Sequence, residues 1–557
     1  MERVVECVPN ISDGINPDVY NTVAHAAERI SGVKLLDIDP GSTTNRTVIT
    51  LAGSPEVIVD GAFELIKTAY EMIDMQTHSG EHPRMGAVDV CPFVPVAGVT
   101  MEECAELARK LGKRVGEELG VWVYLYEAAA SKPEWQMLPN VREGEYEGLA
   151  AREGDQKWKP DFGSIKFTPK FGAMAIGARN FLVAYNINLN GANMKMAKDI
   201  AFNLRESGRA KRESYPDGEI IRHPDGKAVK IAGQFKHCKG SAWVIPEYNC
   251  AQITMNLTNI DETPVHIVYD EVMRQATQRG MRVTGSEIVG LVPLQTMLEA
   301  GRYFLTKQGM STAVSEQEII NVAISSLGLK DVAPFEPDQK IVEYRFKRSD
   351  RLVDQQIDQF VDTLASDLPA PGGGSIAALN ATLSASLATM VTNLTYGKKD
   401  YAEHNSLMEE AGIKGQQLKM WFLAAIDRDT DAFNLVMDAM RLPKKSDEQK
   451  AARDQAIEKA NQHCTLVPLE VLERCVELIP ILEVAAKNGN PNCASDAGVG
   501  AHCMKTAAHG AALNVRINLK GINEEQFKAS SLKRVENALF AVEDGAKNIL
   551  QLVEHNL

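Results

Sequence analysis

Hydrophobic and polar positions change period several times along this 557-residue chain. Short runs dense in β-branched and aromatic residues predict strands: "RVVECVPNI" (3–11), "VKLLDID" (33–39), "RTVITLAG" (46–53), "VDVCPFVPV" (88–96) and "VWVYLYE" (121–127). Between them, "NPDVYNTVAHAAERI" (16–30), "SPEVIVDGAFELIKTAYEMI" (54–73) and "TMEECAELARKLGKRVGEEL" (100–119) repeat apolar residues every three or four positions, the helical period. Pro17 suits a first turn, Ser54 and Thr100 suit N-caps, and Gly120 suits a stop. The order β-α-β-β-α-β-α-β contains the split βαβ pattern of ferredoxin-like folds.

A polar stretch, 140–163, then interrupts; it reads as either a surface connection or a substrate-facing loop. The alternation resumes with "FLVAYNINL" (181–189), a helix over 192–207, strands near 227–235 and 251–260, a helix over 264–280 and a strand near 282–293. Residues 1–180 and 181–330 thus predict two α/β (α+β) halves. The stretch 331–350, with two prolines, mixed charge and no helical period, predicts a linker. From 351 to 557 strand signal nearly vanishes. "LVDQQIDQFVDTLA" (352–365) puts Leu352, Val353, Ile357, Phe360, Val361 and Leu364 on one helical face. A small-residue helix over 375–397 and long helical stretches over 402–440, 447–486, 495–514 and from 523 onward predict an all-α bundle.

Composition narrows the function. The chain is 44% hydrophobic and 24% charged, ordinary for a globular protein, and its net charge of -14 argues against nucleic acid. Nine cysteines without a CxxC pair fit reduced thiols in a cytoplasmic protein. "MERVVECVPNI" lacks the apolar core of a signal peptide, and no apolar run reaches the ~18 residues of a membrane span.

Several stretches carry candidate chemistry. "GEHPRMGAVDVCPFVPV" (80–96) sets His82 and Arg84 where a loop feeds a strand. An imidazole titrates near neutrality and can act as base, with Glu81 or Asp89 to orient it; Arg84 can hold a carboxylate bidentately. The bland alternative is a structural turn. In "DIDPGSTTNRT" (37–47), Asp39 and Arg46 stand at strand ends, either a ligand site or a solvated hairpin. "DFGSIKFTPKFGAMAIGARN" (161–180) offers Phe167 and Phe171 for ring stacking and Lys166 and Lys170 for acids; the alternative is an ordinary crossing loop. "LPAPGGGSIAALNATLSAS" (368–386) is a Gly-rich helix entry whose free N–H groups suit an anion, but it lacks the GK[ST] ending of a nucleotide loop. "AIDRDTDAFNLVMDAMRLPK" (425–444) carries Asp427, Asp429 and Asp431; an aspartate turned inward would have a raised pKa suited to proton transfer, whereas a solvated acidic face is the commoner outcome. Asn490, Asn514 and Arg516 sit near helix ends. No His/Cys/carboxylate set has metal-ligand spacing.

"CVPNIS", "STTNRTVITLAG", "GEHPRMGAVDVCPFVPV" and "NFLVAYNINL" closely resemble glutamate formimidoyltransferase. "LPAPGGGSIAALNATLSASLATMV", "DRDTDAFNLVMDAMRLP" and "NVRINL" closely resemble formimidoyltetrahydrofolate cyclodeaminase. In this order they resemble the bifunctional formimidoyltransferase-cyclodeaminase family over nearly the whole chain. The resemblance implies transfer of a formimino group from N-formimino-L-glutamate to N5 of tetrahydrofolate, then cyclisation to 5,10-methenyltetrahydrofolate with loss of ammonia. It maps the transferase base to His82 and the cyclodeaminase acid/base to Asp429. The folate-contacting loop maps to Gly163, Ser164, Ile165, Lys166, Phe167, Thr168, Pro169, Lys170, Phe171 and Gly172. The reading of the residues themselves, beside the resemblance, assigns substrate binding to Asp39, Arg46 and Arg84, and to Gly372, Gly373, Gly374 and Ser375. The resemblance implies tetrahydrofolate as a polyglutamylated co-substrate, no metal, and a dimer-based homo-oligomeric ring, with Lys398 and Lys399 as contacts for the polyglutamate tail. The stretch 205–230 is longer than the family pattern leads one to expect. Two other readings stay open: a transferase with an inactive helical half, and a non-catalytic folate-binding scaffold.

Overall fold

The computed structural model describes residues 3–41, 45–80, 83–164, 166–214, 218–245, 249–346 and 350–557. It divides into two compact units: Met1–Gly301 with Ile320–Lys347, and Arg302–Ile319 with Arg348–Leu557.

In the first unit, β1 (Val4–Cys7), β2 (Asn10–Ile11), β3 (Lys34–Gly41), β4 (Arg46–Gly53), β5 (Val88–Ala97), β6 (Trp122–Glu127) and β7 (Ala173–Ala178) share one sheet. β3 pairs with β4, β4 with β1 and β2, and these with β5, all antiparallel; β5 and β6 flank β7 in parallel. Helices α1 (Pro17–Ala26), α2 (Ile58–Met72) and α3 (Met101–Glu118) bury their apolar stripes on one face, around Val5, Cys7, Leu51, Phe63, Leu111 and Ile176. The opposite face carries Val90, Trp122, Tyr124 and Tyr126, packed with Trp135 and Val141. There the 140–163 stretch folds into α4 (Leu138–Val141), α5 (Glu145–Gly148) and short 3-10 turns.

The second sheet has the order β11 (Cys238–Ile245), β12 (Cys250–Leu257), β8 (Val183–Leu189) and β13 (Val283–Val289), fully antiparallel. Helices α6 (Met194–Leu204) and α7 (Val265–Gln278) pack against it. Within 205–230 and just beyond, β9 (Arg209–Ala210) and β10 (Lys230–Ile231) form a small separate ribbon.

Thr100 caps α3 in a capping box with Glu103, and Gly120 (φ +67) follows its end. Ser54 is not an N-cap: α2 begins at Ile58, and the Ser54 carbonyl closes the preceding turn by accepting from Val57 and Ile58 N–H. Pro55 in this stretch makes a turn before the helix instead of its first residue. The linker reading of 331–350 is also corrected in part, because Phe335, Ile341 and Val342 are buried and α10 (Pro337–Lys340) and α11 (Val342–Phe346) pack within the first unit. Two helices had no sequence expectation, α8 (Leu294–Lys307) and α9 (Glu316–Leu327).

The second unit is all-helical: α12 (Ile357–Leu364), α13 (Gly373–Thr395), α14 (Asn405–Arg441), α15 (Asp447–Val476), α16 (Leu478–Asn488), α17 (Ala494–Asn518) and α18 (Glu525–Asn556). The chain is therefore two sheet-containing subdomains followed by a helical bundle. Two helical expectations differ from the structure. The stretch 447–486 breaks near Glu477 into α15 and α16. The stripe on 352–365 is core only in part: Leu352 is buried and Val353 and Phe360 pack against the bundle core, whereas Val361, Leu364 and Ile357, the last 85% exposed, are not covered.

α13 is the axis of the bundle. Ala377, Ala378, Ala381, Ala385 and Ala388 are buried, so α14 and α17 can approach closely. Opposite, Gly415 has no room for a side chain, since a Cβ would stand 2.2 Å from Thr389 Oγ1. Among the described residues, α13 alone has the length and composition of a membrane span, with mean hydropathy 1.3. Packing explains that composition, because 61% of its apolar window is buried inside the protein.

Candidate active sites

The first candidate site lies on the non-helical face of the first sheet. Arg84 is buried to 9% exposure, and its guanidinium makes a two-pronged pair with Glu147, Nη1 to Oε2 at 2.9 Å and Nη2 to Oε1 at 2.8 Å. This bond holds the Arg84 pKa above its ordinary value and the Glu147 carboxyl below its own. Arg84 Nε–H donates to His78 Nδ1 at 3.3 Å, and the Arg84 carbonyl accepts from Tyr146 N–H at 2.9 Å. The fork that sequence reasoning assigned to a substrate carboxylate thus holds a carboxylate of this chain. Asp89, 1% exposed, accepts from Met85 N–H at 2.9 Å and is paired with Arg142. It therefore braces the turn that precedes β5.

Arg46 and Asp39 lie two rungs apart on the β3–β4 ladder, where Gly41 pairs with Arg46 and Asp39 with Val48. Burial lowers the Arg46 pKa, Asp89 and Asp39 raise it, and Arg142 lowers it again. These four charged groups therefore form one electrostatic cluster. His82 and Ile165 lie outside the described residues.

The 163–172 loop runs beside the same face. Gly163 takes φ +120, and a Cβ there would meet the Val121 carbonyl at 2.3 Å. Ser164 O accepts from Trp122 Nε1–H at 2.9 Å, and Ser164 Oγ–H reaches the Lys166 carbonyl. Thr168 O accepts from Gly172 N–H at 2.8 Å, and Pro169 O from Tyr146 Oη–H at 2.8 Å. Lys166 is exposed; Lys170 Nζ donates to the Glu71 carbonyl at 2.9 Å. The two phenylalanines differ. Phe167 is half-buried, its ring 5.5 Å from Trp122 and 6.2 Å from Tyr146. Phe171 has no exposed surface and packs in the core with Tyr70.

Sequence reasoning missed His78, Asn45, Arg142 and Glu147, which tie these segments together. It also missed the polar row across the second sheet, where Trp243 Nε1–H donates to Gln252 Oε1 and Gln252 Nε2–H to Asn188 Oδ1, both at 2.9 Å. Another unassigned group is Glu6 on β1, pushed by burial to about 7 against the opposing charge of Arg179.

The second candidate site sits where α13 begins. Gly372 is the N-cap residue in extended conformation, and Gly373, Gly374 and Ser375 form the first turn. Ser375 Oγ–H donates to Asp429 Oδ2 at 3.1 Å and also lies 3.1 Å from the Ile426 carbonyl. The Asp429 pKa is raised by burial, opposed by hydrogen bonds from the Ser375 hydroxyl and backbone. Asp429 in turn helps burial push the neighbouring Cys464 thiol up to about 11. Asn514 lies close on α17: its Nδ2 would be 3.1 Å from a Cβ at Gly373. Asp427, one turn-step away, faces elsewhere and accepts from Leu352 N–H at 2.6 Å. The site thus offers one half-buried carboxyl, a hydroxyl and a helix N-terminus, a set fit to hold and return a proton. Among the described residues no group of three or more His, Cys, Asp or Glu side chains has metal-holding geometry.

Family models match three consecutive segments: "Formiminotransferase domain, N-terminal subdomain" over 4–179, "Formiminotransferase domain" over 184–347, and "Formiminotransferase-cyclodeaminase" over 356–537. Formimidoyltransferase-cyclodeaminase of Rattus norvegicus is 39% identical over 557 residues, covering 100% of this chain and 99% of that one. Glutamate formimidoyltransferase of Thermoplasma acidophilum is 43% identical over 308 residues, 55% of this chain and 93% of that protein. Methenyltetrahydrofolate cyclohydrolase of Methylorubrum extorquens is 41% identical over 194 residues, 35% of this chain and 92% of that protein.

Proposed function

The chain belongs to the formimidoyltransferase-cyclodeaminase family, and from that premise we propose which of its residues carry the two reactions. It is a bifunctional folate enzyme of histidine degradation. It transfers the formimino group of N-formimino-L-glutamate to tetrahydrofolate, then cyclises 5-formimidoyltetrahydrofolate to 5,10-methenyltetrahydrofolate and releases ammonia. The full-length match to relatives carrying both names is the observation that carries this conclusion.

In our reading the transferase spans 1–330 and the cyclodeaminase 351–557, with the connection between them. His82 takes the proton from N5 as that nitrogen adds to the formimino carbon; it then gives that proton to the glutamate nitrogen as the C–N bond breaks, and glutamate leaves as its free amine. The cluster of Arg84, Arg46 and Asp39 orients the two substrates, and the 163–172 loop holds the folate, with Phe167 as its ring contact. In the bundle, Asp429 accepts the N10 proton as N10 adds to the formimino carbon, then returns it to the departing ammonia. Burial suits that role, because a carboxyl with raised pKa exchanges a proton near neutral pH more readily than a solvated one. The first turn of α13, Gly372 to Ser375, would seat an anionic part of the folate and set the Asp429 oxygens.

The finer reading is a cytoplasmic homo-oligomer acting on polyglutamylated tetrahydrofolate, with Lys398 and Lys399 meeting the tail. All nine cysteines are unpaired thiols, which supports a reducing compartment. Leu513 and Phe540, 64% and 78% exposed on bundle helices, support association through the bundle.

The 41% identity to a cyclohydrolase favours a second reading of the bundle site, in which water replaces ammonia at the same carbon. Mixing the protein with N-formimino-L-glutamate and tetrahydrofolate tests both. Methenyltetrahydrofolate absorbance and ammonia should rise together, His82→Ala should stop both along with glutamate release, and Asp429→Asn should stop both while glutamate is still released. Loss of added methenyltetrahydrofolate faster than the buffer rate would reveal the hydrolytic activity.

A further inference from the structure

His78 stands four residues before the proposed base, yet nothing above gives it a role. Its half-buried ring lies between two polar groups. Arg84 Nε can only donate, so Nδ1, at 3.3 Å, must carry a lone pair. The Asn45 carbonyl can only accept, so Nε2, at 3.0 Å, must carry the hydrogen. In this arrangement Nδ1 faces a donor and Nε2 an acceptor.

Asn45 is itself pinned. It adopts φ +46, its Oδ1 accepts from Gly14 N–H at 3.0 Å, and its Nδ2–H donates to the Ser79 carbonyl at 2.8 Å. On the far side, Glu147 holds both terminal nitrogens of Arg84. The ring thus joins the β3–β4 turn that carries Arg46 to the guanidinium of Arg84.

We propose that His78 is a positioning residue for the transfer reaction: its lone pair sets the plane of the Arg84 guanidinium, and so the direction of the second N–H on each terminal nitrogen, which Glu147 leaves over for the N-formimino-L-glutamate carboxylate. This rests on the substrate-binding reading of Arg84. Glu147 fixes the end of the fork, and His78 fixes its inner edge, so neither alone defines the plane. A displaced guanidinium would weaken donor binding and leave tetrahydrofolate binding alone.

The test uses the full chain, three His78 variants, and Arg84→Ala alone and combined with His78→Ala. Asparagine places Oδ1 where imidazole has Nδ1 and keeps the acceptor for Arg84; glutamine keeps only a donor near Nε2. His78→Ala and His78→Gln should raise KM for N-formimino-L-glutamate about tenfold, the order expected for losing one hydrogen bond to a charged group. KM for tetrahydrofolate should stay within about twofold, and His78→Asn should restore donor KM. In an Arg84→Ala background, His78→Ala should add nothing. Ammonia release from directly supplied 5-formimidoyltetrahydrofolate serves as the check on chain integrity; should His78→Ala lose it, the asparagine–glutamine contrast carries the test. Arg84→Ala at the parent KM would sink the reading of Arg84. Arg84→Ala impaired, with His78→Ala at the parent KM or His78→Asn no better than His78→Gln, would sink this inference alone.

Discussion

Gly374 backs directly onto the carboxylate of Asp429: a methyl group at that Cα would stand 2.1 Å from Oδ1. The glycine-rich entry to α13 therefore shapes the seat of the proposed proton carrier. Gly374→Ala must push Asp429 out of that seat. We expect ammonia release to fall by about 100-fold, the scale of an ångström displacement at a reacting group. Glutamate release by the first unit should hold. Parallel assays of the two products check this, and an unaltered ammonia rate would remove Asp429 from the chemistry.

The Asp89–Arg142 pair makes a second prediction. Asp89 is almost without exposure, and Arg142, within the 140–163 stretch, is its ion-pair partner. Arg142→Ala removes the ion-pair partner of a buried carboxylate and leaves it the Met85 N–H and the field of Arg46. The expected loss of stability is about 3 kcal/mol, the usual cost of breaking a buried pair from one side. Asp89→Asn combined with Arg142→Ala should recover part of it. Chemical denaturation of the single and double variants reads the difference.

Much of this arrangement was legible in the chain, and the illegible part has a pattern. Alternation and period located the strands from Val4 to Glu127 because each buries one face against neighbouring helices. A local rule succeeded at Thr100, whose Glu103 lies three residues on, and failed at Ser54, where the chain closes a turn before the helix begins. Inward aspartates could be suspected in "DRDT" from helical period, but choosing Asp429 over Asp427 needed the resemblance. Period alone does not say which face meets α13. Arg142, Glu147, Asn45 and His78 carried no signal. Each acts through a partner 6 to 63 positions away, and only the tertiary fold brings such pairs together. The apolar stripe of α12 misled for the opposite reason: its period is right, but only Phe360 of that helix packs against the bundle core, while Ile357, Val361 and Leu364 stay exposed.

The two phenylalanines of the folate loop should part company on mutation. Phe171 is core, so Phe171→Ala should cost about 3–5 kcal/mol of stability through the cavity it leaves. Phe167 is half-buried between Trp122 and Tyr146, so Phe167→Ala should cost less stability. It should nonetheless raise KM for tetrahydrofolate by about tenfold, on the scale of one aromatic stacking contact. Thermal melts and initial rates at varied folate separate the two. A folate KM untouched by Phe167→Ala would leave that ring purely structural.

Glu6 supplies a pH test of the first unit. Its folded pKa is about 7 against an ordinary 4.5, raised chiefly by burial and partly restored by Arg179. The sign follows from proton counts. Between pH 4.5 and 7 the folded chain keeps a proton that the unfolded chain has lost, so folding stability falls as pH rises through that window. Below 4.5 both states are protonated and there is no penalty; above 7 both are ionised and the penalty is full. Its upper scale is on the order of 3 kcal/mol. Glu6→Gln removes the ionisation, so its melting temperature relative to the parent should climb from pH 4.5 to pH 7 and then level off. A constant gap across that range would mean that the carboxyl is ionised throughout in the folded protein, held by Arg179 more strongly than burial opposes it.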